Sequence, residues 1–179
     1  MFENITIIGC GLIGSSILRA VNKNKLSKKV TVFDKSKEVL SYLKEEKLNI
    51  NLTSDISSSV KNSELIIISA PLSAYKEILL SIKDDLKKNV ILTDTGSAKK
   101  EINKIIENLN LKDVSWIASH PIAGTEDSGP KSGYAEIFED RWCIITPSLK
   151  AKEEDVKKIK FFWEAIGSKT KIMSFKEHD

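Results

Sequence analysis

Ile5-Thr6-Ile7-Ile8-Gly9-Cys10-Gly11-Leu12-Ile13-Gly14 opens this chain with a β-branched run that turns through three glycines into an amphipathic segment. The spacing Gly9-x-Gly11-x-x-Gly14 follows a strand pattern directly and begins a helical one, the context that a bare glycine match lacks. Gly9 permits a tight turn, Gly11 leaves room for a pyrophosphate, and Gly14 lets the helix pack close to the sheet. The helix N-terminus offers N–H groups and a partial positive charge to phosphates, and Ser15 and Ser16 add candidate hydroxyl donors. Asp34 lies twenty residues after Gly14, at the end of the next strand pattern. A carboxylate there accepts hydrogen bonds from ribose hydroxyls and repels a 2′-phosphate, which favours NAD over NADP. Lys35 and Lys37 follow it and soften that discrimination. The plain alternative makes the glycines turn residues and Asp34 a cap.

Working outward, short apolar runs alternate with longer lysine-rich amphipathic segments. The strand candidates are Ile5–Gly9, Lys29–Asp34, Leu65–Ala70, Val90–Asp94, Ser115–Ser119, Trp142–Thr146 and Lys169–Met173. Helix candidates lie at Leu12–Asn24, Lys37–Lys47, Tyr75–Asp85, Ala98–Leu109 and Glu153–Ile166. Continuous apolar runs such as Leu65-Ile66-Ile67-Ile68 read as strands buried on both faces. Regular strand–helix alternation predicts an α/β fold with a Rossmann-type, doubly wound, mainly parallel sheet. Serine-rich residues 49–63 are expected to hold a short edge strand and a short helix. The stretch from Pro121 to Asp140 lacks periodicity, and a loop of that length is usually functional or mobile.

In such sheets ligands bind outside the carboxyl ends of the strands. Ala70, Pro71 and Thr95, at two later strand ends, therefore join Gly9, Gly11, Leu12, Ile13, Gly14 and Asp34 as candidate cofactor-binding residues. Asp94 reads equally as a turn former or a ligand contact.

The chain has 179 residues, 28 basic against 25 acidic, with a net charge of +3. The lysines are spread along helical faces, and no stretch reads as a nucleic-acid patch. No apolar run approaches the length of a membrane span, and Met1-Phe2-Glu3-Asn4 does not resemble a signal peptide. Cys10 and Cys143 have no metal-ligand spacing and read as buried small residues of a reducing compartment. The expected location is cytoplasmic, with no metal, membrane or nucleic-acid partner.

His120 is one of only two histidines and sits at a strand end, opening Ser119-His120-Pro121-Ile122-Ala123-Gly124-Thr125-Glu126. A neutral imidazole, with an unperturbed pKa of about 6.5, suits removal of a hydroxyl proton as hydride leaves the same carbon. Ser97, at the neighbouring strand end, is placed to bond that hydroxyl or orient the ring.

Three blocks, Gly9–Ser16, Asp94-Thr95-Gly96-Ser97-Ala98-Lys99 and the His120 block, resemble the prephenate/arogenate dehydrogenase family from the first strand to the last residue. The resemblance implies NAD-dependent oxidative decarboxylation of prephenate, or of arogenate, in tyrosine biosynthesis. It implies that His120 polarises the ring 4-hydroxyl with Ser97 as partner, and that Thr125 and Glu126 line the substrate pocket. Members continue into a helical domain that dimerises and supplies basic side chains. Residues 175–179 resemble its start, so residues 1–174 are expected to be the dinucleotide-binding domain and His178 to lie near the pocket. Neither arginine, Arg19 or Arg141, is placed by the motifs to clamp two carboxylates. The chain on its own is thus expected to bind NAD with little turnover, and the homodimer to form through the helical domain. Two alternatives remain open: another reductase of the β-hydroxyacid or imine class, and a non-catalytic NAD-binding domain.

Overall fold

Eight strands form one sheet in the order β3-β2-β1-β4-β5-β6-β7-β8 in the computed structural model, which describes residues 1–178. The strands are β1 (Phe2–Ile8), β2 (Ser27–Phe33), β3 (Ile50–Thr53), β4 (Leu65–Ile68), β5 (Val90–Asp94), β6 (Val114–Pro121), β7 (Trp142–Pro147) and β8 (Lys169–Ile172). The helices are α1 (Leu12–Lys23), α2 (Lys37–Glu45), α3 (Ile56–Val60), α4 (Tyr75–Ile82), α5 (Lys99–Leu109), α6 (Glu153–Ala165) and α7 (Phe175–His178). All neighbouring strands are parallel except β6 and β7. The doubly wound α/β class read from the sequence is the observed one, with the expected short strand β3 at an edge.

The apolar runs are continuous because each central strand faces two cores. In β4, Leu65 and Ile67 enter one buried cluster with residues of α1, α2 and α6. Ile66 and Ile68 enter the other, with residues of α3, α4 and α5. The two-residue strand period sends successive side chains to opposite faces, so both faces must be apolar.

The chain goes from β1 out to β2 and β3, then returns to β4 on the other side of β1. That reversal opens a crevice at the carboxyl ends of β1 and β4, where open α/β sheets bind ligands. The Ser69 amide donates to the Ile8 carbonyl at 2.7 Å and closes the crevice floor.

Residues 121–140 are not irregular throughout. Single 3-10 turns at Pro130–Ser132 and Ala135–Phe138 lie against α1, and Ile137 and Phe138 are buried in the core. The Tyr134 amide donates to Ser16 Oγ at 3.1 Å, and Arg19 donates to the Pro130 carbonyl at 3.0 Å. Gly133 is required there, since a Cβ would lie 2.1 Å from Ser15 Oγ. The sequence signal for this docking is weak because only two large apolar side chains anchor it. The longest continuously exposed stretch of the loop is residues 124–128.

Candidate active site

The glycine turn behaves as its spacing implies. Gly9 has φ +88°, and a Cβ there would meet the Ser69 carbonyl oxygen at 2.4 Å. A Cβ at Gly14 would stand 2.1 Å from the Gly9 carbonyl oxygen. Both positions need glycine for the fold itself. Gly11 differs: nothing lies within 4 Å of an added Cβ, so its missing side chain leaves open space beside the turn. Gly11 is also the N-cap of α1 and makes no side-chain cap. The first-turn amides therefore lack the oxygen that a Ser or Asp cap would supply. Open space and uncapped amides fit a phosphate group, and Leu12 and Ile13, half-buried, flank them.

Ser15 and Ser16 do not serve as phosphate donors. Both are fully buried and donate to the Leu12 carbonyl, at 3.1 and 2.7 Å. Their place inside the first turn favours bonding back to the backbone over projecting into the crevice.

Asp34 directly follows β2 and is half-buried. Its Oδ2 accepts the Cys10 amide at 2.8 Å and its Oδ1 accepts the Ser36 amide at 2.8 Å. The carboxylate thus holds the glycine turn against the end of β2, with lone-pair capacity left on each oxygen. Cys10 beside it is buried, and burial with the Asp34 charge pushes its thiol up to about 12. Ala70 and Pro71 follow β4 at the crevice, and Thr95 Oγ1 donates to Ser69 Oγ at 3.2 Å.

Two strands away, β6 delivers His120 to the same carboxyl edge of the sheet. His120 is half-buried, and its Nδ1 lies 2.9 Å from Nε2 of His178 on α7. One ring nitrogen must donate and the other accept, so the contact requires at least one neutral imidazole. The ring centroids are 5.1 Å apart. His178 is therefore brought to His120, whereas Asp179, which ends the same motif, lies outside the described residues. Ser97 is exposed on the segment between β5 and α5. Thr125 and Glu126 are exposed farther along the loop, where Thr125 Oγ1 accepts the Asp127 amide at 3.2 Å.

A cleft of about 420 Å³ adjoins His120, walled by Pro121, Ala123, Tyr134, Ile137 and Arg141, and by neither Thr125 nor Glu126. The structure places Arg141 beside His120, a position that no motif gave it. The antiparallel return of β7 brings it there, the Ile122 amide donating to the Trp142 carbonyl at 2.7 Å. Only that pairing, invisible in spacing, connects residue 141 to residue 120. Arg19, by contrast, is occupied by Glu46 and the Pro130 carbonyl.

Asp94 forms the turn that one reading gave it and is not an open ligand. It is fully buried with Lys99, whose Nζ lies 2.6 Å from Oδ2, and it also accepts the amides of Ser119 and Gly96. The sequence held one clue to this pair. A lysine at the first position of a helix opposes the macrodipole and calls for an anionic partner.

Residues 17–172 match the family described as prephenate dehydrogenase, nucleotide-binding domain. The chain is 37% identical over its full length to the cyclohexadienyl dehydrogenase of Zymomonas mobilis, spanning 61% of that protein. It is 28% identical over its full length to the prephenate dehydrogenase of Bacillus subtilis, spanning 48% of it. Among solved structures, it is similar to the A. aeolicus prephenate dehydrogenase in complex with hydroxyphenyl propionate and NAD+. The TM-score is 0.88 at 25% identity, covering 99% of this chain and 62% of that one.

Proposed function

This chain belongs to the prephenate dehydrogenase family, and we propose that it is the NAD-binding part of an enzyme that oxidatively decarboxylates prephenate or arogenate. The carrying observation is that one sheet edge presents both an open glycine turn at Gly11 and the imidazole of His120. The half-open amides of α1 would hold the pyrophosphate and Asp34 the adenosine ribose, with Leu12, Ile13, Ala70, Pro71 and Thr95 lining the cofactor. Bound NAD supplies the hydride acceptor.

His120 takes the proton of the ring 4-hydroxyl while Ser97 bonds the same oxygen or orients the ring. Drawing that proton away raises electron density on the carbinol carbon and eases hydride departure. Loss of carbon dioxide with aromatisation follows from the substrate's own chemistry. Arg141, on the wall of the His120 cleft, offers a positive partner to one substrate carboxylate, and Thr125 and Glu126, on the exposed loop beyond it, serve as further substrate contacts. His178 orients His120 through the 2.9 Å contact.

As part of the same proposal, residues 1–174 form the dinucleotide-binding domain. Residues 175–179 lead to a helical domain that pairs two copies and adds basic groups. The 61% coverage of the Z. mobilis relative accommodates such a domain. A cytoplasmic location agrees with two unpaired, buried cysteines; among the described residues no helix is long and apolar enough to cross a membrane.

The test is spectrophotometric NADH formation by the purified full-length protein with prephenate and, separately, arogenate. Turnover with either, faster with NAD than with NADP, is expected. NAD binding without turnover of either compound would overturn the reading in favour of another reductase or a cofactor-binding module.

A further inference from the structure

We infer that the buried Asp94–Lys99 ion pair is a positioning device that sets His120 and Ser97 relative to one another, standing in for a missing stretch of β-ladder. The inference rests on the reading of His120 and Ser97 as the proton-handling pair.

The parallel pairing of β5 with β6 runs Val90↔Val114, Ile91↔Ser115 and Leu92↔Trp116, and its register ends there. Farther along, Ser119 would be left with an unmet N–H and C=O on its β5 side. The ion pair meets both. Asp94 Oδ1 accepts the Ser119 amide at 3.0 Å, and Lys99 Nζ donates to the Ser119 carbonyl at 2.7 Å. A carboxylate thus stands where a backbone carbonyl would accept, and an ammonium where a backbone amide would donate. The other edge of β6 remains laddered to β7, with His120 opposite Ile144. The peptide joining residues 119 and 120 is therefore held from both sides.

The same carboxylate reaches the other candidate. Asp94 Oδ2 accepts the Gly96 amide at 2.9 Å, which fixes the Thr95–Gly96 peptide one residue before Ser97, and Lys99 follows Ser97 by two residues. One rigid group thus touches the backbone immediately before Ser97 and immediately before His120. The surroundings immobilise it further. Tyr75 donates its hydroxyl to Asp94 at 3.1 Å. Ser119 Oγ accepts the Trp163 indole N–H at 3.0 Å and bonds Thr93 Oγ1 at 2.9 Å.

Stability alone is a poor reason for this arrangement. Both side chains have 0% exposure. Taking two ions out of water costs several kcal/mol each, and apolar replacements of buried pairs are often neutral or stabilising. Burial pushes the Asp94 carboxyl above its ordinary value, opposed by Lys99 and by the amides of Ser119 and Gly96. The directional bonds, rather than net energy, are what an apolar pair would lack.

The experiment compares the full-length protein with two variants, Asp94→Asn/Lys99→Met and Lys99→Met, by thermal melting, NAD calorimetry, steady-state kinetics and imidazole NMR. The signal lost in a His120→Asn variant of the same protein assigns the His120 imidazole. Expected is a folded protein with NAD affinity and substrate KM within about threefold of wild type. The kcat should fall about ten- to a hundredfold, the cost of misplacing a reacting group by about 1 Å. His120 imidazole signals should shift or split while those of residues far from β6 do not. An unchanged kcat with unchanged His120 signals overturns the inference. Loss of folding in both variants also overturns it, by showing that the pair holds the whole sheet. If the wild type turns over neither prephenate nor arogenate, the functional reading fails, yet the His120 signals still decide whether the pair positions that ring.

Discussion

Gly11→Ala should weaken NAD about ten- to a hundredfold without harming the fold, whereas Gly14→Ala should first cost stability. At Gly11 the backbone φ is −70°, which any L-residue adopts, and an added Cβ meets nothing within 4 Å. Alanine is a poorer N-cap than glycine by roughly 0.5–1 kcal/mol, but it lowers unfolded-state entropy by about 0.4–1 kcal/mol. The two nearly cancel, so the melting temperature should move by no more than about 2 °C in a chain of this size. The methyl group would occupy the space assigned to the pyrophosphate. Loss of one charge-assisted hydrogen bond costs about 1.5–3 kcal/mol, or about a ten- to hundredfold weaker NAD complex. Gly14→Ala sets its Cβ 2.1 Å from the Gly9 carbonyl oxygen. Overpacking of that kind costs about 1–3 kcal/mol, a drop of roughly 2–12 °C. Calorimetry with NAD and thermal denaturation by circular dichroism separate the two outcomes. A Gly11→Ala protein that binds NAD within twofold of wild type would refute the assignment of the open space to phosphate.

Asp34→Ala should weaken NAD about ten- to a hundredfold, the worth of a charge-assisted hydrogen bond, and leave NADP little changed; equal losses for both in calorimetry would count against ribose recognition. Because Asp34 also accepts the Cys10 and Ser36 amides, Asp34→Asn, which keeps one acceptor oxygen, should melt closer to wild type than Asp34→Ala. His120→Asn in the full-length protein should lower kcat by about a hundredfold or more with NAD affinity retained, and wild-type turnover should rise with pH as the imidazole loses its proton; near-wild-type turnover would move the base elsewhere. The Cys10 thiol, pushed up to about 12 in the folded chain, stays neutral where an unfolded thiol ionises. Its contribution to stability is complete below the ordinary thiol value and lost as pH climbs toward 12, so native protein at pH 8 should resist iodoacetamide at Cys10 until denatured. Rapid native alkylation there, read by peptide mass spectrometry, would contradict its burial.

Much of the fold was legible because its determinants are local. The two-faced burial of β4 writes itself as four consecutive apolar residues, and the turn at Gly9 and Gly14 leaves glycine no substitute. The crevice followed from strand order alone. What escaped was long-range. Gly133 looked like a loop residue, yet it is glycine because α1 passes within van der Waals distance of its backbone. Ser15 and Ser16 looked like ligand groups, but their hydroxyls turn inward to Leu12. Arg141 had no motif, since only the antiparallel return of β7 carries it to the His120 cleft.

The candidate site divides along the same line. Open space made by backbone shape, as at Gly11, announces itself in spacing, because shape is set within a few residues. Those that act by holding others do not. Asp94 and Lys99 are five residues apart, but their shared target, Ser119, lies 25 residues beyond Asp94 and 20 beyond Lys99. The sequence left the aspartate between a turn former and a ligand contact, and its bond to the Gly96 amide two residues on is such a turn. It is also the point where two loops are fastened to one group. A reaction that needs a base and a hydroxyl at a fixed separation gains from such fastening, since both loops then move together or not at all.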